Sequence, residues 1–441
     1  QPHAAQIPAR AAAHPRDMLQ NRLAATSKTP AEIVTALRRF AAKEDAPGLV
    51  VGSAAERSAP TAFIYSGNGS QWPGMGRAAY RVNTTFARAF REIDEHFKPL
   101  AGWSLKDALF ADNLTERLKL TSIAQPLIFA IQSATTTALR ELGLSPAVVL
   151  GHSVGEIAAA EAAGCLSLQD AVRVIHSRSL HQELAHNHGG MAVVFAKVEI
   201  VEELLASTDE LEIAAYNSAG SVTVSGSFAA LDQLTEEAAR AGVKVHRLDL
   251  DYPFHCQSMD VVRKPLIEDL ASLSPHAGRC EFVSTVEGKT LSGLQLGADY
   301  WWRNVREPVQ FLAGVQEAAR RGARVFGEIG PRKTLLSHVG DNLESAPGPF
   351  ALLGVMDRDD ADVDPFRRAA ATAYVRGARL EMDVIAGTDP GAGIALPAYP
   401  WQRKPFRLED TGEAMDVLTP RTWHPLIGAR LTSVALTPLV V

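Results

Sequence analysis

Between the apolar run Val148-Val149-Leu150 and the alanine-rich run from Ile157 to Ala163 lies the pentapeptide Gly151-His152-Ser153-Val154-Gly155. It limits the fold more tightly than any other feature of the chain. Its flanks read as a buried strand and a helix, so the pentapeptide is a sharp strand-to-helix turn. Such a turn holds the serine in a strained backbone conformation, and a glycine on each side removes a side chain that would clash. The hydroxyl then stands at the positive end of a helix, where main-chain N–H groups can receive a developing oxyanion. The pattern calls for an α/β fold and makes Ser153 a candidate nucleophile. The plain alternative is a turn that happens to contain serine.

The chain has 441 residues, enough for two or three domains that each bury a core. A formal charge of −6 and the lack of a basic block argue against nucleic acid as a partner. No apolar stretch approaches the ~18–20 residues of a membrane span, and the N-terminus lacks the apolar core of a signal peptide. Three widely spaced cysteines, Cys165, Cys256 and Cys280, give neither a disulfide framework nor a metal-ligand pattern, which predicts a reducing, cytoplasmic setting. The first residue is Gln1 and the last ones, Ala435 to Val441, are apolar without a stop signal, so the chain reads as a piece of something larger.

Residues 1–59 read as a small, mostly helical segment, with Thr29-Pro30-Ala31-Glu32 as the cap of a helix through Ala42. From the strand Ala62–Tyr65 onward, helices alternate with short strands to about Leu336, the rhythm of a parallel sheet. One stretch breaks it. Strand Met191–Ala196, helix Val201–Ala206, strands Leu211–Tyr216 and Ser221–Ser225, helix Ala229–Ala241 and strand Val243–Leu248 form a β-α-β-β-α-β unit. This is a ferredoxin-like small subdomain, about 190–255, inserted in an α/β-hydrolase-like large one. The cleft between two such lobes suits a ligand. Past Phe350 the only clear period is a helix over Pro365–Val375, and Ala386–Gly393 and Leu396–Trp401 read as linker.

A serine nucleophile needs a base, and thirteen histidines compete. His3, His14 and His96 lie in polar segments, and His152 reads as packing or supporting the turn. His176, His181, His186 and His188 have no partner acids or cysteines at a metal-site spacing. His255 closes Asp251-Tyr252-Pro253-Phe254-His255 directly after the last ferredoxin-like strand, so the small lobe would deliver it to the cleft. Arg178 falls on the apolar stripe Leu168, Ala171 and Ile175 of a helix that Ser167 opens. A guanidinium there must find an anion. Both an internal carboxylate of the fold and a substrate carboxylate held bidentately satisfy that need. Gly67-Asn68-Gly69-Ser70-Gln71 lacks the spacing of a phosphate or dinucleotide loop and reads as a source of N–H groups aimed at the elbow. Arg320, Arg321 and Arg324 read as a solvated helix face.

Together these motifs resemble the acyltransferase domain of type I polyketide synthases, related to malonyl-CoA:acyl-carrier-protein transacylases. The resemblance covers about residues 60–345. It rests on Gly67-Asn68-Gly69-Ser70-Gln71, Gln125-Pro126, the elbow, His176-Ser177-Arg178-Ser179, Tyr252-Pro253-Phe254-His255, Tyr300-Trp301-Trp302-Arg303-Asn304-Val305-Arg306 and Glu328-Ile329-Gly330-Pro331. Residues 1–59 look like part of the linker after a ketosynthase, and 346–409 like the linker after an acyltransferase. Within 410–441, His424-Pro425-Leu426-Ile427-Gly428 resembles the opening of a dehydratase domain.

The resemblance implies roles for the matching positions. Ser153 is the acylated nucleophile, His255 its base, and the backbone N–H groups of Asn68 and Val154 the oxyanion hole. Arg178 binds the free carboxylate of an extender unit, with Gln125 and Asn217 lining the site. A main-chain carbonyl, not an aspartate, orients the histidine. Asn68 stands where the family usually has glutamine, which matters little if only its N–H acts. In the family His-Ala-Phe-His marks malonyl selectivity and Tyr-Ala-Ser-His methylmalonyl; Tyr252 matches the second and Phe254 the first. The bulk of Phe254 and Val154 after the nucleophile favour malonyl. The implied reaction is ping-pong transfer from malonyl-CoA to Ser153 and then to the phosphopantetheine of an acyl carrier protein, with no bound cofactor or metal. The rivals are a methylmalonyl-selective enzyme, a thioesterase-type serine hydrolase and a non-catalytic spacer domain.

Overall fold

The computed structural model describes residues 19–27, 29–54, 56–206, 209–358 and 364–381, with two short strands further on. Near the start, β1 (Asn21–Ala25) and β2 (Leu49–Ser53) pair antiparallel around the helix Pro30–Ala41. That helix is capped as its sequence predicts: Thr29 accepts from the Glu32 N–H at 3.3 Å, and proline takes the first turn.

β3 (Thr61–Tyr65) and β4 (Val148–Gly151) follow, then β5 (Gly190–Phe195), β6 (Leu211–Ser218), β7 (Ser221–Gly226) and β8 (Lys244–Arg247). β9 (Glu281–Ser284), β10 (Lys289–Leu291), β11 (Val325–Ile329) and β12 (Ala351–Gly354) complete the main body. The large sheet has the order β10-β9-β4-β3-β11-β12, parallel except for β10. Every residue of β3, β4 and β11 is buried, as parallel strands covered on both faces must be. Alternate side chains divide between two cores. Phe63, Tyr65 and Val149 join the helices Thr84–Ala101, Thr121–Glu141 and Leu168–Gln182, while Ala62, Ile64, Val148 and Leu150 meet Phe311, Val315 and Val339.

The second sheet has the order β6-β7-β5-β8, antiparallel throughout, with its own core of Ala192, Val194, Val201, Val222 and Leu231. With helices Val198–Leu205 and Phe228–Arg240 it is the ferredoxin-like unit. The first of these helices starts three residues ahead of the sequence expectation because its cap, Lys197, makes no side-chain cap bond that would mark it. Main-chain bonds tie the lobes together: Tyr216 N–H donates to Val309 O and Val309 N–H to Ala214 O, each at 2.9 Å.

The sheet runs past residue 345, where the sequence motifs stop. β12 extends it, and the helix Pro365–Arg376 leads to an Ala59–Ala378 bridge. A four-residue edge strand carries too little periodicity to be legible. The linker reading of 386–401 lies outside the described residues. In a separate unit, 393–441, Thr422–His424 and Gly428–Ala429 pair antiparallel. Among the described residues no helix is long and apolar enough to cross a membrane.

Candidate active site

Register places the site. Tyr65 pairs with both Gly151 and Ile329, so the carboxyl ends of β3, β4 and β11 are level. Their loops 66–71, 152–155 and 330–334 therefore leave side by side, the usual binding edge of a parallel sheet. Gln132 fastens two of them, donating from Nε2 to Ser66 O at 2.7 Å and Ile329 O at 3.2 Å.

The elbow has the predicted geometry. Ser153 has φ of 53°, a left-handed conformation that costs a non-glycine residue about 1–3 kcal/mol. A Cβ at Gly155 would stand 2.2 Å from Tyr65 O and one at Gly151 2.1 Å from the Glu156 N. Only glycine lets the helix Gly155–Ala163 abut β3 this closely. His152 braces the turn: its Nε2 donates to Asn217 Oδ1 at 2.9 Å, and burial holds its pKa down to about 4.

The Ser153 hydroxyl meets two groups. His255 Nε2 lies 2.7 Å away, and Arg178 Nη2 donates to it at 3.0 Å. His255 Nδ1 is 2.8 Å from the main-chain carbonyl of Glu307. That carbonyl only accepts, so Nδ1 carries the ring proton and Nε2 turns its lone pair to the serine. No carboxylate touches the imidazole among the described residues, which makes this a dyad. Burial lowers the His255 pKa to about 3, and the neighbouring Arg178 charge acts in the same direction. The imidazole is therefore neutral at neutral pH.

Arg178 is 1% exposed. Of the two partners left open by its sequence position, the internal carboxylate is not found among the described residues: Nη1 donates to Gln125 Oε1 and, at 3.1 Å, to Gln182 Oε1, while Nε is buried and has no partner among them. Burial brings its pKa down to about 9, opposed by the more distant Glu156. Gln125 is oriented by bonds from Nε2 to Thr121 Oγ1 at 2.5 Å and Gln182 Oε1 at 2.8 Å. Among the described residues, a full positive charge thus sits beside the Ser153 hydroxyl with no counter-ion in contact. A guanidinium so placed can take an anionic group.

The loop Gly67–Gln71 is held by Ser70 Oγ donating to Gly67 O at 2.8 Å and by Arg332 donating to Gly69 O. Among the described residues no acceptor takes the N–H of Asn68 or of Val154. Both are available to an oxyanion. Asn217 meets the elbow through its amide: Oδ1 accepts from His152 Nε2, and Nδ2 donates to Thr223 Oγ1 at 2.8 Å. The Tyr252 hydroxyl donates to Glu183 Oε2 at 2.6 Å, and its ring stacks on Phe254 with centroids 5.2 Å apart. His181 pairs with Asp269 at 2.8 Å and His186 stacks on Tyr252. Arg320 and Arg321 pair with Glu317, each at 2.9 Å.

Two contacts escaped the sequence reading, and a third was expected only in kind. Gln182 follows Arg178 by four residues on one helix face, a spacing that does point to contact. Glu156, an acid at the start of the helix ahead of its alanine run, was also visible. A main-chain carbonyl behind His255 was implied by the resemblance, but its owner, Glu307, leaves no mark on the sequence.

The sequence matches the family described as the acyl transferase domain over residues 62–380. The chain belongs to that family. It is 35% identical over 415 residues to erythronolide synthase EryA2 of Saccharopolyspora erythraea, a match spanning 92% of this chain but 12% of that protein. Among solved structures, this acyltransferase domain is similar to the one from the second module of the salinomycin polyketide synthase, with a TM-score of 0.78 and 33% identity over 88% of this chain and 90% of that one. It is also similar to the malonyl CoA-acyl carrier protein transacylase of Clostridium perfringens, with a TM-score of 0.61 and 26% identity over 68% of this chain and 94% of that one. The two-lobed α/β architecture is the one these enzymes share.

Proposed function

We propose that the acyltransferase domain loads a malonyl extender unit from CoA onto Ser153 and passes it to the phosphopantetheine thiol of an acyl carrier protein. The observation that carries this reading is the buried Arg178 guanidinium, 3.0 Å from the nucleophile and, among the described residues, without a carboxylate in contact. His255 takes the Ser153 proton as Oγ attacks the thioester carbonyl. The N–H groups of Asn68 and Val154 hold the oxyanion, and the C–S bond breaks as His255 returns the proton to the departing CoA thiolate. The carrier's thiol then reverses these steps, leaving Ser153 free. Arg178 holds the malonyl carboxylate throughout, and Gln125 keeps Arg178 in place. A ketosynthase before and a dehydratase after this domain fit the flanking sequences, and the setting is the cytoplasm.

A serine hydrolase of the thioesterase type has no use for Arg178 and normally orients its histidine with a carboxylate. Glu307 O takes that position here. For selectivity, the stack of Tyr252 on Phe254 supports the malonyl reading, because it occupies the Tyr252 hydroxyl with Glu183 and fixes Phe254 beside His255. Competition among malonyl-, methylmalonyl- and acetyl-CoA, read by intact mass, tests this. Malonyl is expected to dominate, and Phe254→Ser is expected to raise the methylmalonyl share about tenfold, the effect of about one methylene's worth of space. Dominant methylmalonyl in the wild type would reverse the selectivity; dominant acetyl would remove the carboxylate clamp.

The pH dependence follows from the two pKa shifts. His255 works as a base only when neutral, and its pKa lies depressed at about 3. The kcat/KM for acylation, which reports the free enzyme, should therefore stay flat from about pH 8 down to about pH 5. Burial lowers the Arg178 pKa, but a guanidinium keeps its charge through this range, so malonyl and acetyl transfer should share the flat profile. An acid limb centred near 6.5 would mean a solvated His255.

A further inference from the structure

Acyl transfer as described leaves Glu156 without a task. It lies in the first turn of the helix that follows the nucleophile and is 0% exposed. Burial raises its pKa, yet the Thr285 N–H, the Tyr300 hydroxyl and the Asn304 amide all donate to it. Thr285 N–H donates to Oε1, and the Thr285 hydroxyl lies 2.9 Å from the same oxygen. Tyr300 Oη donates to Oε2 at 2.7 Å and Asn304 Nδ2 at 2.9 Å.

Two of these donors also hold the elbow. Asn304 has a second Nδ2 hydrogen, which reaches Ser153 O at 3.2 Å. The Thr285 hydroxyl reaches Gly151 O at 2.7 Å. Gly151 O and Ser153 O, at the two ends of the elbow's His152-Ser153 step, are thus each held by a residue that Glu156 holds in turn. A strained residue keeps its conformation only where its surroundings over-determine it. Here the surroundings converge on one buried carboxyl.

We propose that Glu156 is a positioning residue, which through Asn304 and Thr285 sets the backbone of the nucleophile and so aims its hydroxyl at the thioester. This rests on the acyl-transfer reading of Ser153. The carboxyl touches neither substrate nor His255, so its effect is on the alignment of attack and not on binding. Glutamine keeps the shape but turns an N–H₂ group toward one set of donors, which loosens the grip.

The test compares Glu156→Gln, Asn304→Ala and the double variant in single-turnover acylation by malonyl-CoA and acetyl-CoA, with thermal midpoints to confirm folding. Glu156→Gln is expected to slow the acylation step by about 10- to 100-fold, the effect of misplacing a nucleophile by about 1 Å. KM for malonyl-CoA should stay within about threefold, and malonyl and acetyl transfer should fall by the same factor. The double variant should be no slower than the slower single one, because both changes break one chain of contacts. Unchanged rates, a loss confined to KM, or additive losses would each overturn the proposal. Should Glu156→Gln not fold, Asn304→Ala alone decides: a folded variant with wild-type rates sinks the proposal. A wild-type protein that forms no adduct would instead sink the acyl-transfer reading itself.

Discussion

Replacing His255 with alanine should lower the rate of acyl-enzyme formation at neutral pH by about 10⁴-fold, the loss typical when the base of a serine nucleophile is removed. The expectation follows from the surroundings of Ser153 Oγ. Its two polar neighbours are His255 Nε2 at 2.7 Å and Arg178 Nη2 at 3.0 Å, and a guanidinium cannot accept the proton. No other group is in place to do so. Asparagine at 255 should be nearly as poor, although it can keep a bond to Glu307 O. The measurement is the rate of CoA release in a single turnover. A loss smaller than about tenfold would mean that the proton leaves by another route and that the dyad is not the catalytic unit.

Arg178→Ala should divide the substrates. Removing one side of a buried, hydrogen-bonded charge pair costs about 2–5 kcal/mol, so kcat/KM for malonyl-CoA should fall by about 30- to 4,000-fold. Acetyl-CoA has no carboxylate to lose, and its kcat/KM should change by less than about tenfold. The preference for malonyl should therefore shrink to little or nothing. Lysine should restore it only in part, because a point charge cannot reproduce a fork held by Gln125 and Gln182. Equal losses for the two thioesters would assign Arg178 to holding Ser153 alone.

Much of this was legible in the sequence, for identifiable reasons. The elbow was readable because its constraint is local: close approach to Tyr65 O demands Gly155, and the left-handed turn fixes where Ser153 stands. The ferredoxin-like lobe was readable because six short elements alternate in one order, and the observed β6-β7-β5-β8 sheet is the one that order produces. Arg178 announced itself as a charge on an apolar stripe, but periodicity could not choose between a carboxylate of the fold and one from outside. The absence of an acid beside it among the described residues favours the second.

Other features depend on long-range contacts that no local pattern encodes. Glu307 acts through its main chain, which any residue could supply. Asn217 comes from the small lobe, and only the fold shows that its amide meets His152. β12 is a short edge strand paired on one side, so it needs no strong apolar run.

The most direct test of the central claim is the intact mass of the purified protein after brief incubation with malonyl-CoA, alongside Ser153→Ala. The account predicts one malonyl adduct on the wild type and none on the variant. An equal adduct on both, or none on either, would contradict it.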